Sequence, residues 1–346
     1  MRLGATEMAG TGKAHLRPEG TALLRVDDLV VEFPVGRSGL KVHAVSGISL
    51  DVLEGETLGL VGESGCGKST TGKAIMQLPP PTSGKIVLEG NELTAMHGEK
   101  IRELRPRMQM IFQDPISSLN PRRKIIDIVS EPLKIWKTGT EAEREAKVRA
   151  VLDSVGINVD ESGTRKPHEF SGGQCQRICI ARSLVMNPKV IICDEPVSAL
   201  DVSVQAQVLN LLEDMKKAYG LTLIFIAHDL AVVKNVSDRV VVMYLGKICE
   251  VAKPDDLYEN PAHHYTKALI DSIPEPDPTI VIDEASALEG DLPSPVFPPS
   301  GCRFRTRCPA ATDRCAADEP VLVEVGEGHY VACHYPRERT AVTAPE

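Results

Sequence analysis

The sequence predicts an α/β fold in which short apolar strands alternate with helices. Thr57–Val61 is a short apolar strand, a glycine-rich turn follows it, and Thr70–Met76 begins a helix. Two further apolar strands, Val190–Cys193 and Leu221–Ala227, end at acidic or imidazole side chains. Ligands of open α/β sheets bind at the carboxyl ends of the strands, so we expect the functional site there.

The glycine-rich turn fits the phosphate-binding pattern G-x-x-x-x-G-K-S/T. Its residues are Gly62, Glu63, Ser64, Gly65, Cys66, Gly67, Lys68, Ser69 and Thr70. Glycines let the backbone wrap closely around an anion, and the following helix contributes the positive end of its dipole. We expect Lys68 to reach the β- and γ-phosphates and Ser69 to hold Mg²⁺. The loop therefore predicts binding of a nucleoside triphosphate.

The bulk properties of the chain exclude several classes of protein. Its 346 residues carry a formal net charge of −9, which argues against nucleic acid as the main partner. No apolar run approaches the ~18 residues that would span a bilayer. Residues 1–21 are polar and lack the apolar middle of a secretory signal, so we expect a flexible tail. A cytoplasmic protein is expected unless another protein holds it at a membrane.

The first strands follow this tail. Leu23–Phe33 and Val42–Val52 alternate apolar and polar residues, which predicts two antiparallel strands joined by a loop. Phe33 ends the first strand and could stack on an adenine ring. On position alone, an ordinary aromatic at a strand edge is the better interpretation.

A polar amide follows the next buried strand. Met108–Phe112 is apolar and ends at Gln113. An amide at this point is well placed to meet Mg²⁺ and an attacking water, although a surface loop residue fits the pattern as well. Residues 120–166 then become helical in pattern, with apolar side chains spaced along Glu141–Val155, which predicts a helical insert.

A second anion site is predicted where Ser171, Gly172, Gly173 and Gln174 precede the helix Cys175–Met186. This helix start offers a hydroxyl, close backbone approach and a positive dipole end. The simpler interpretation is a helix cap and nothing more. One chain needs only one triphosphate cradle, so a second makes sense if it meets the nucleotide of a neighbouring subunit.

Two carboxylates and an imidazole end the later strands. Asp194 is placed to support Mg²⁺, as phosphate-loop enzymes require. Glu195, one residue on, could polarise the water that attacks the γ-phosphate. His228 follows the strand Leu221–Ala227. A lone histidine there would be structural, but together with the loop and the acidic pair a γ-phosphate contact is the better interpretation.

The last strands of this region are Arg239–Tyr244 and Lys247–Val251, which are predicted to close the sheet as a hairpin around Leu245–Gly246.

Taken in order, these motifs resemble those of the ATP-binding cassette (ABC) ATPases over about Leu23 to Val251. The matching residues are Gly62–Thr70, Gln113, Ser171–Gln174, Asp194–Glu195, Ser198–Asp201 and His228. The resemblance implies an ABC ATPase domain at residues 22–255, with a RecA-like core, an antiparallel β subdomain and a helical subdomain at about 116–188.

The resemblance also implies a head-to-tail dimer with two ATP molecules in the interface. Lys68 and Ser69 of one subunit would hold each ATP together with the serine and glycines of the partner's signature. Asp201 would be a further nucleotide-binding residue. Phe33 matches the aromatic that stacks on adenine, which reverses the interpretation from position alone.

Catalytic roles follow from the same resemblance. Glu195 would be the catalytic carboxylate and His228 the switch histidine. Gln113 would link the Mg²⁺ site to a membrane partner.

Three stretches are similar to the ATPases of dipeptide, oligopeptide and nickel importers: Phe112–Arg122, Ala199–Gln207 and Asn260–Thr266. The second, F-type subunit of those importers is the best match, and it pairs with a different, D-type ATPase. This implies two membrane permease subunits, an extracytoplasmic substrate-binding protein and a place on the cytoplasmic face of the membrane. A nickel or other small-solute importer, and a soluble ABC ATPase, are the alternatives.

The C-terminal extension, residues 256–346, has a different composition. Pro274–Pro299 is rich in Pro, Asp and Glu, which indicates a linker. Four clustered cysteines follow, Cys302, Cys308, Cys315 and Cys333, and in a cytosolic protein they suggest a metal rather than disulfides. The resemblance implies that they hold a 4Fe–4S cluster, with zinc as the runner-up.

The other five cysteines are expected to be free thiols: Cys66, Cys175, Cys179, Cys193 and Cys249. Cys66, between two glycines of the phosphate loop, could make the ATPase sensitive to oxidants.

Overall fold

A computed structural model describes residues 12–273 and 290–338. The first part of the predicted tail and most of the predicted linker lie outside these residues. The chain divides into two compact units. Unit one comprises Met1–Leu53, Thr57–Ala95 and Ala227–Glu346, and unit two comprises Glu54–Glu56 and Met96–Ile226.

The strands are β1 (Leu24–Pro34), β2 (Lys41–Val52), β3 (Thr57–Val61), β4 (Ser83–Leu88), β5 (Asn91–Glu92), β6 (Met108–Ile111), β7 (Val190–Asp194), β8 (Thr222–Ala227), β9 (Arg239–Tyr244), β10 (Lys247–Ala252), β11 (Val323–Gly326) and β12 (His329–Val331).

The α-helices are α1 (Lys68–Ile75), α2 (Glu99–Leu104), α3 (Pro115–Ser118), α4 (Ile125–Ile135), α5 (Glu141–Ser154), α6 (Val159–Ser162), α7 (Gly172–Leu184), α8 (Val202–Tyr219), α9 (Leu230–Val236), α10 (Pro254–Glu259), α11 (His264–Asp271) and α12 (Asp313–Ala317). Short 3₁₀ turns occupy Leu93–Ala95, Arg105–Arg107 and Pro167–Glu169.

An antiparallel sheet in unit one has the strand order β2-β1-β4-β5. Its longest pairing runs from Leu24 opposite Val52 to Pro34 opposite Lys41. The alternation of the two strands places Leu24, Val26 and other apolar residues in the core. The predicted antiparallel pair is therefore confirmed.

The second sheet of unit one runs β11-β12-β10-β9-β3. β3 is parallel to β9, and β9 and β10 form the hairpin predicted around Leu245–Gly246. β12 then pairs with β10, and β11 pairs with β12. The C-terminal extension thus contributes two strands to the same sheet as the cassette residues, which the sequence analysis did not predict.

The N-terminal segment differs from the flexible tail expected over residues 1–21. His15 and Leu16 are buried, and Arg17 forms an ion pair with Asp51 at 3.0 Å. Asp51 is fully buried and also pairs with Arg239 at 2.7 Å. Residues 12–17 therefore pack against unit one, because they cover a buried carboxylate that needs cationic partners.

Unit two combines parallel strands with a set of helices. β6, β7 and β8 are parallel neighbours in that order, with β7 in the middle. The helices α3–α7 occupy the stretch for which a helical insert is predicted. α4 buries one apolar face and packs against α5 and α7. α5 begins with a capping box between Thr140 and Glu143. None of the described helices is both long and apolar enough to cross a bilayer.

Candidate functional site

The phosphate loop joins β3 to α1 within unit one. β3 is buried along its whole length, which fixes the start of the loop. Gly62 has φ 148° and Gly67 has φ 106°. A Cβ on Gly62 would lie 2.1 Å from the Met243 carbonyl oxygen, and one on Gly67 would lie 2.2 Å from the Ala44 carbonyl oxygen. Both positions therefore require glycine, for backbone conformation and for space.

Lys68 is held inside this loop. Its ammonium donates to the carbonyl oxygens of Gly62 at 2.7 Å and Glu63 at 3.0 Å. The lysine is buried although it is the first residue of α1. The loop carbonyls thus hold the cation at the amino end of the helix, where the helix dipole also favours an anion.

Cys66 is buried in the same loop. Burial raises the pKa of its thiol, although the neighbouring Lys68 opposes this shift. The thiolate is the form that oxidants attack. Burial therefore opposes oxidation of Cys66, and the sensitivity of the ATPase to oxidants stays a prediction.

Phe33 and His228 lie on the surface of unit one. Phe33 is near the end of β1, opposite Val42, and is 38% exposed. His228 is exposed and follows Ala227, directly before Asp229, which caps α9. An exposed ring in each place is accessible to a ligand, and the roles of both residues stay predictions.

Unit two brings Gln113 and Glu195 together. The Gln113 Nε2 donates to Glu195 Oε2 at 2.8 Å. Glu195 follows β7 and has φ 47°, an uncommon conformation for a residue other than glycine. Its N–H donates to the Ile226 carbonyl at 3.0 Å, which extends the pairing of β7 with β8 by one residue. Such strained backbone clusters at functional sites and is held by its surroundings.

Asp194 precedes this pair and is buried at the end of β7. A buried carboxylate is unfavourable unless it is paired or binds a metal. The strand therefore ends in a buried carboxylate, Asp194, followed by a carboxylate at positive φ, Glu195, and their separate roles stay predictions.

The serine–glycine segment forms a reciprocal helix cap. Ser171 Oγ accepts the Gln174 N–H at 3.3 Å, and Gln174 Oε1 accepts the Ser171 N–H at 3.0 Å. α7 consequently begins at Gly172, three residues earlier than predicted. A Cβ on Gly173 would lie 2.5 Å from Val204, so this glycine permits close packing of two helix starts. Asp201 precedes α8 and its side chain makes no cap hydrogen bond.

Comparison with known proteins assigns the chain to a family. The family model "ABC transporter" matches residues 45–198, and "Oligopeptide/dipeptide transporter, C-terminal region" matches residues 249–315. The oligopeptide transport ATP-binding protein OppF of Salmonella typhimurium is 52% identical over 322 residues, covering 90% of this chain and 95% of the relative. The putative oligopeptide transport ATP-binding protein YkfD of Bacillus subtilis is 51% identical over 314 residues, with the same coverage.

The chain belongs to the ABC transporter family of ATP-binding proteins. Solved cassettes show the same fold. The dimeric cassette MJ0796, in a post-hydrolysis state with ADP and Pi, is 26% identical with a TM-score of 0.60, covering 67% of this chain and 98% of that one. CbiO1 of Clostridium perfringens is 29% identical with a TM-score of 0.61, covering 69% and 91%. The cassette is therefore an ATPase of the ABC type, as its motifs predict.

The four C-terminal cysteines of this ABC protein lie near one another in unit one. Burial raises the pKa of Cys302 and Cys308 and raises that of Cys333 to about 11. The charge of neighbouring thiols raises these values further, with Cys315 acting on all three. Among the described residues, however, no three His, Cys, Asp or Glu side chains are grouped so as to hold a metal ion.

Two residues that the sequence analysis did not assign reach the phosphate loop of the cassette. The Glu63 N–H donates to the Tyr265 hydroxyl at 2.8 Å, and Arg307 forms an ion pair with the Glu63 carboxylate. Tyr265 lies in one of the stretches typical of peptide importers, and Arg307 lies beside Cys308. Neither position carries a local motif for nucleotide binding, so only the folded structure reveals these contacts.

Proposed function

We propose that this chain is the ATP-hydrolysing subunit of a membrane importer for di- and oligopeptides, of the F type that pairs with a different ATPase. The observation that carries the proposal is 52% identity to OppF over 90% of the chain. The two solved cassettes cover only 67% and 69% of it. The similarity to the oligopeptide transport proteins therefore extends well beyond what the cassettes share.

ATP binding is assigned to two half-sites from different subunits. Lys68 and the loop N–H groups would bind the phosphates, and Phe33 would stack on the adenine. The hydroxyl of Ser69 and the carboxylate of Asp194 are oxygen donors of the kind that Mg²⁺ prefers, and Mg²⁺ would neutralise charge on the transferred phosphoryl group.

The second half-site would come from the Ser171 segment of the opposite ATPase. The Ser171 Oγ accepts the cap hydrogen bond, and a hydroxyl has two acceptor lone pairs and one donor. Its O–H is thus able to donate to a phosphate while the cap persists. Gly172, Gly173 and the exposed Asp201 would complete this half-site.

Hydrolysis is assigned to Glu195 as the general base for the attacking water. The hydrogen bond from Gln113 Nε2 to Glu195 Oε2, at 2.8 Å, would orient the carboxylate toward the attacking water. His228 would contact the γ-phosphate. Positioning and electrostatic stabilisation supply most of the rate in phosphoryl transfer, so the residue that orients the water is the one most sensitive to substitution.

Glu195→Gln tests this assignment in the assembled transporter. Glutamine keeps an oxygen that accepts from Gln113 but cannot take a proton, so we expect ATP turnover to fall at least about 100-fold while ATP binding persists and traps a closed dimer. Glu213→Gln on exposed α8, which removes the same charge, is the matched control. Unchanged turnover in Glu195→Gln would refute the catalytic role.

Attachment to the membrane would be peripheral, through permease subunits on the cytoplasmic side. Phe112 is 38% exposed and Ile116 is 58% exposed, on either side of Gln113. Exposed apolar side chains grouped on a surface indicate an interaction site. Purification of the tagged chain should therefore bring two hydrophobic subunits with it, and a soluble ABC ATPase would not. The cargo would be identified from the ligand of the captured extracytoplasmic binding protein.

The four C-terminal cysteines are proposed to hold a 4Fe–4S cluster. The described residues include no group of three or more His, Cys, Asp or Glu side chains that could hold a metal ion, which counts against zinc and the cluster alike. The proposal rests on the number and type of the donors. Four thiolates are the usual donor set of a cubane cluster, which spreads its ligands around a larger core. The cluster would supply cross-links between Cys302, Cys308, Cys315 and Cys333.

Anaerobic purification tests the cluster. We expect a brown protein with about four irons per chain, and loss of both in Cys302→Ser. Cys175→Ala, which removes a thiol from unit two, should keep the iron. A colourless protein with stoichiometric zinc would contradict the proposal.

A further inference from the structure

A partly buried ion pair connects the phosphate loop to residues 302–315, the segment that contains the first three C-terminal cysteines (the cysteine-containing segment). Arg307 Nη1 donates to Glu63 Oε2 at 2.7 Å, and Nη2 donates to Glu63 Oε1 at 3.1 Å. The arginine side chain is only 6% exposed and the glutamate side chain 24%. A two-point contact between guanidinium and carboxylate fixes orientation as well as charge. The second residue of the loop is thus held by a residue 244 positions away.

The backbone of Glu63 is held as well. Its N–H donates to the Tyr265 hydroxyl at 2.8 Å, and its carbonyl accepts from the Lys68 ammonium at 3.0 Å. Tyr265 is fully buried, and its ring packs against Tyr244 at 4.7 Å and Phe304 at 5.3 Å between centroids. The chain of contacts from Arg307 to Lys68 therefore passes through a single residue.

The cysteine-containing segment also contacts the phosphate loop near Cys66, through the turn between β9 and β10. Arg303 donates to the carbonyl of Leu245, in the turn between β9 and β10. The next residue, Gly246, donates its N–H to the Cys66 carbonyl at 2.8 Å and accepts from the Ser46 N–H at 2.9 Å. Two arginines of one segment thus support the phosphate loop from two sides.

Charge adds a second reason for the pair. The loop is built to bind a polyanion, and an unpaired carboxylate within it would repel the phosphates. Arginine stays protonated in proteins, so the guanidinium of Arg307 supplies a positive charge beside the Glu63 carboxylate. The pair therefore both neutralises Glu63 and anchors it.

We propose that Arg307 is a positioning residue for ATP: it holds Glu63, and through Glu63 the phosphate loop and Lys68, in the conformation that receives the phosphates. The cysteine-containing segment is then a working part of the nucleotide site rather than a separate appendage. This inference rests on the proposed ATPase function.

Binding of MgATP to the full-length chain, measured by titration calorimetry, tests the inference. We expect Arg307→Ala to raise the Kd about tenfold, within the 5–150-fold range usual for coupled sites. The Kd of Arg307→Lys should lie between that of the unaltered chain and that of Arg307→Ala, since lysine keeps the charge but not the two-point contact. The matched control is Arg305→Ala, which removes a charge from the same segment. The Nε of Arg305 donates to the Ser300 carbonyl at 3.0 Å. This control variant should bind MgATP as the unaltered chain does.

A double-mutant cycle with Glu63→Ala separates positioning from a general loss of structure. If Arg307 acts through Glu63, the double variant should bind MgATP no more weakly than Arg307→Ala alone. If the two effects multiply instead, the inference is overturned. Metal content and thermal unfolding are measured for every variant, so that a change near Cys308 is detected separately.

The outcomes are distinguishable from failure of the proposed function. An unaltered chain that does not bind MgATP contradicts the ATPase assignment itself. An unaltered chain that binds, with Arg307→Ala equal to it, contradicts only the inference. Where Arg307→Ala does not fold, Glu63→Ala decides: binding equal to that of the unaltered chain overturns the inference, and weakened binding supports it.

Discussion

Replacement of His329 tests how the C-terminal hairpin is fixed to the cassette. Glu250 on β10 and His329 on β12 are both fully buried. The Glu250 carboxylate accepts hydrogen bonds from the Ala262 N–H at 2.7 Å and the His263 N–H at 2.8 Å, and it contacts His329 Nε2 at 2.6 Å. His329→Ala would remove one of three partners and leave a cavity beside a buried carboxylate.

The magnitude follows from these contacts. A hydrogen bond to a charged group contributes about 1.5–3 kcal/mol, and a buried acceptor left short of a partner costs about 1–3 kcal/mol, or more when the acceptor is charged. Two backbone donors remain to Glu250. Among the residues that the structure describes, the Nδ1 of His329 has no hydrogen-bond partner, so its removal offsets part of the loss. We therefore expect a loss of about 3 kcal/mol.

Hydrogen exchange of the Tyr330 and Val331 amides is the assay. A loss of about 3 kcal/mol in opening free energy speeds their exchange about 100-fold. His329→Gln, which keeps an N–H donor, should recover part of the protection. His334→Ala is the control, because that exposed ring contacts only the Asp318 carbonyl, at 3.0 Å, among its described hydrogen bonds. An effect of His329→Ala within about 0.5 kcal/mol of the control would refute the reasoning.

Two further predictions concern unit one. Burial alone would raise the pKa of Asp51, but the charges and hydrogen bonds of Arg239 and Arg17 together outweigh it, and the pKa lies below the ordinary value of 3.8. Asp51→Asn should therefore be less stable than the unaltered chain above that pH, with the difference shrinking as pH falls below it, as measured by urea unfolding. Gly62→Ala should raise the Kd for MgATP more than tenfold, because its Cβ would lie 2.1 Å from the Met243 carbonyl oxygen. Gly90→Ala, also at positive φ but with nothing within 4 Å, should bind normally.

Local patterns predicted the strands and the phosphate loop well. β3, β9 and the hairpin at Leu245–Gly246 follow from apolar runs and turn residues that act over a few positions. The start of α7 was predicted three residues late because Gly172 and Gly173 are poor helix formers. The capping box between Ser171 and Gln174 outweighs that preference.

Contacts between distant segments could not be predicted in the same way. The packing of residues 12–17 depends on Asp51, a carboxylate that sequence alone does not mark as buried. The hairpin of β11 and β12 did leave a signal, in valines alternating through Val321–Val325 before a Gly-Glu-Gly turn. The hairpin was not predicted because the interpretation of that region rested on its four cysteines. Arg307 lies directly before Cys308, and nothing local in the sequence connects it to Glu63.

The pairing of β12 with β10 has a practical consequence for dissecting this protein. Glu250 and Val251 pair with Val331 and Tyr330. A fragment ending at residue 255 would turn β10 into an open sheet edge and leave a buried carboxylate without its imidazole neighbour. Exposed edges of that kind recruit other chains. Such a fragment should precipitate or form oligomers, so the cassette should be studied with residues 256–346 attached.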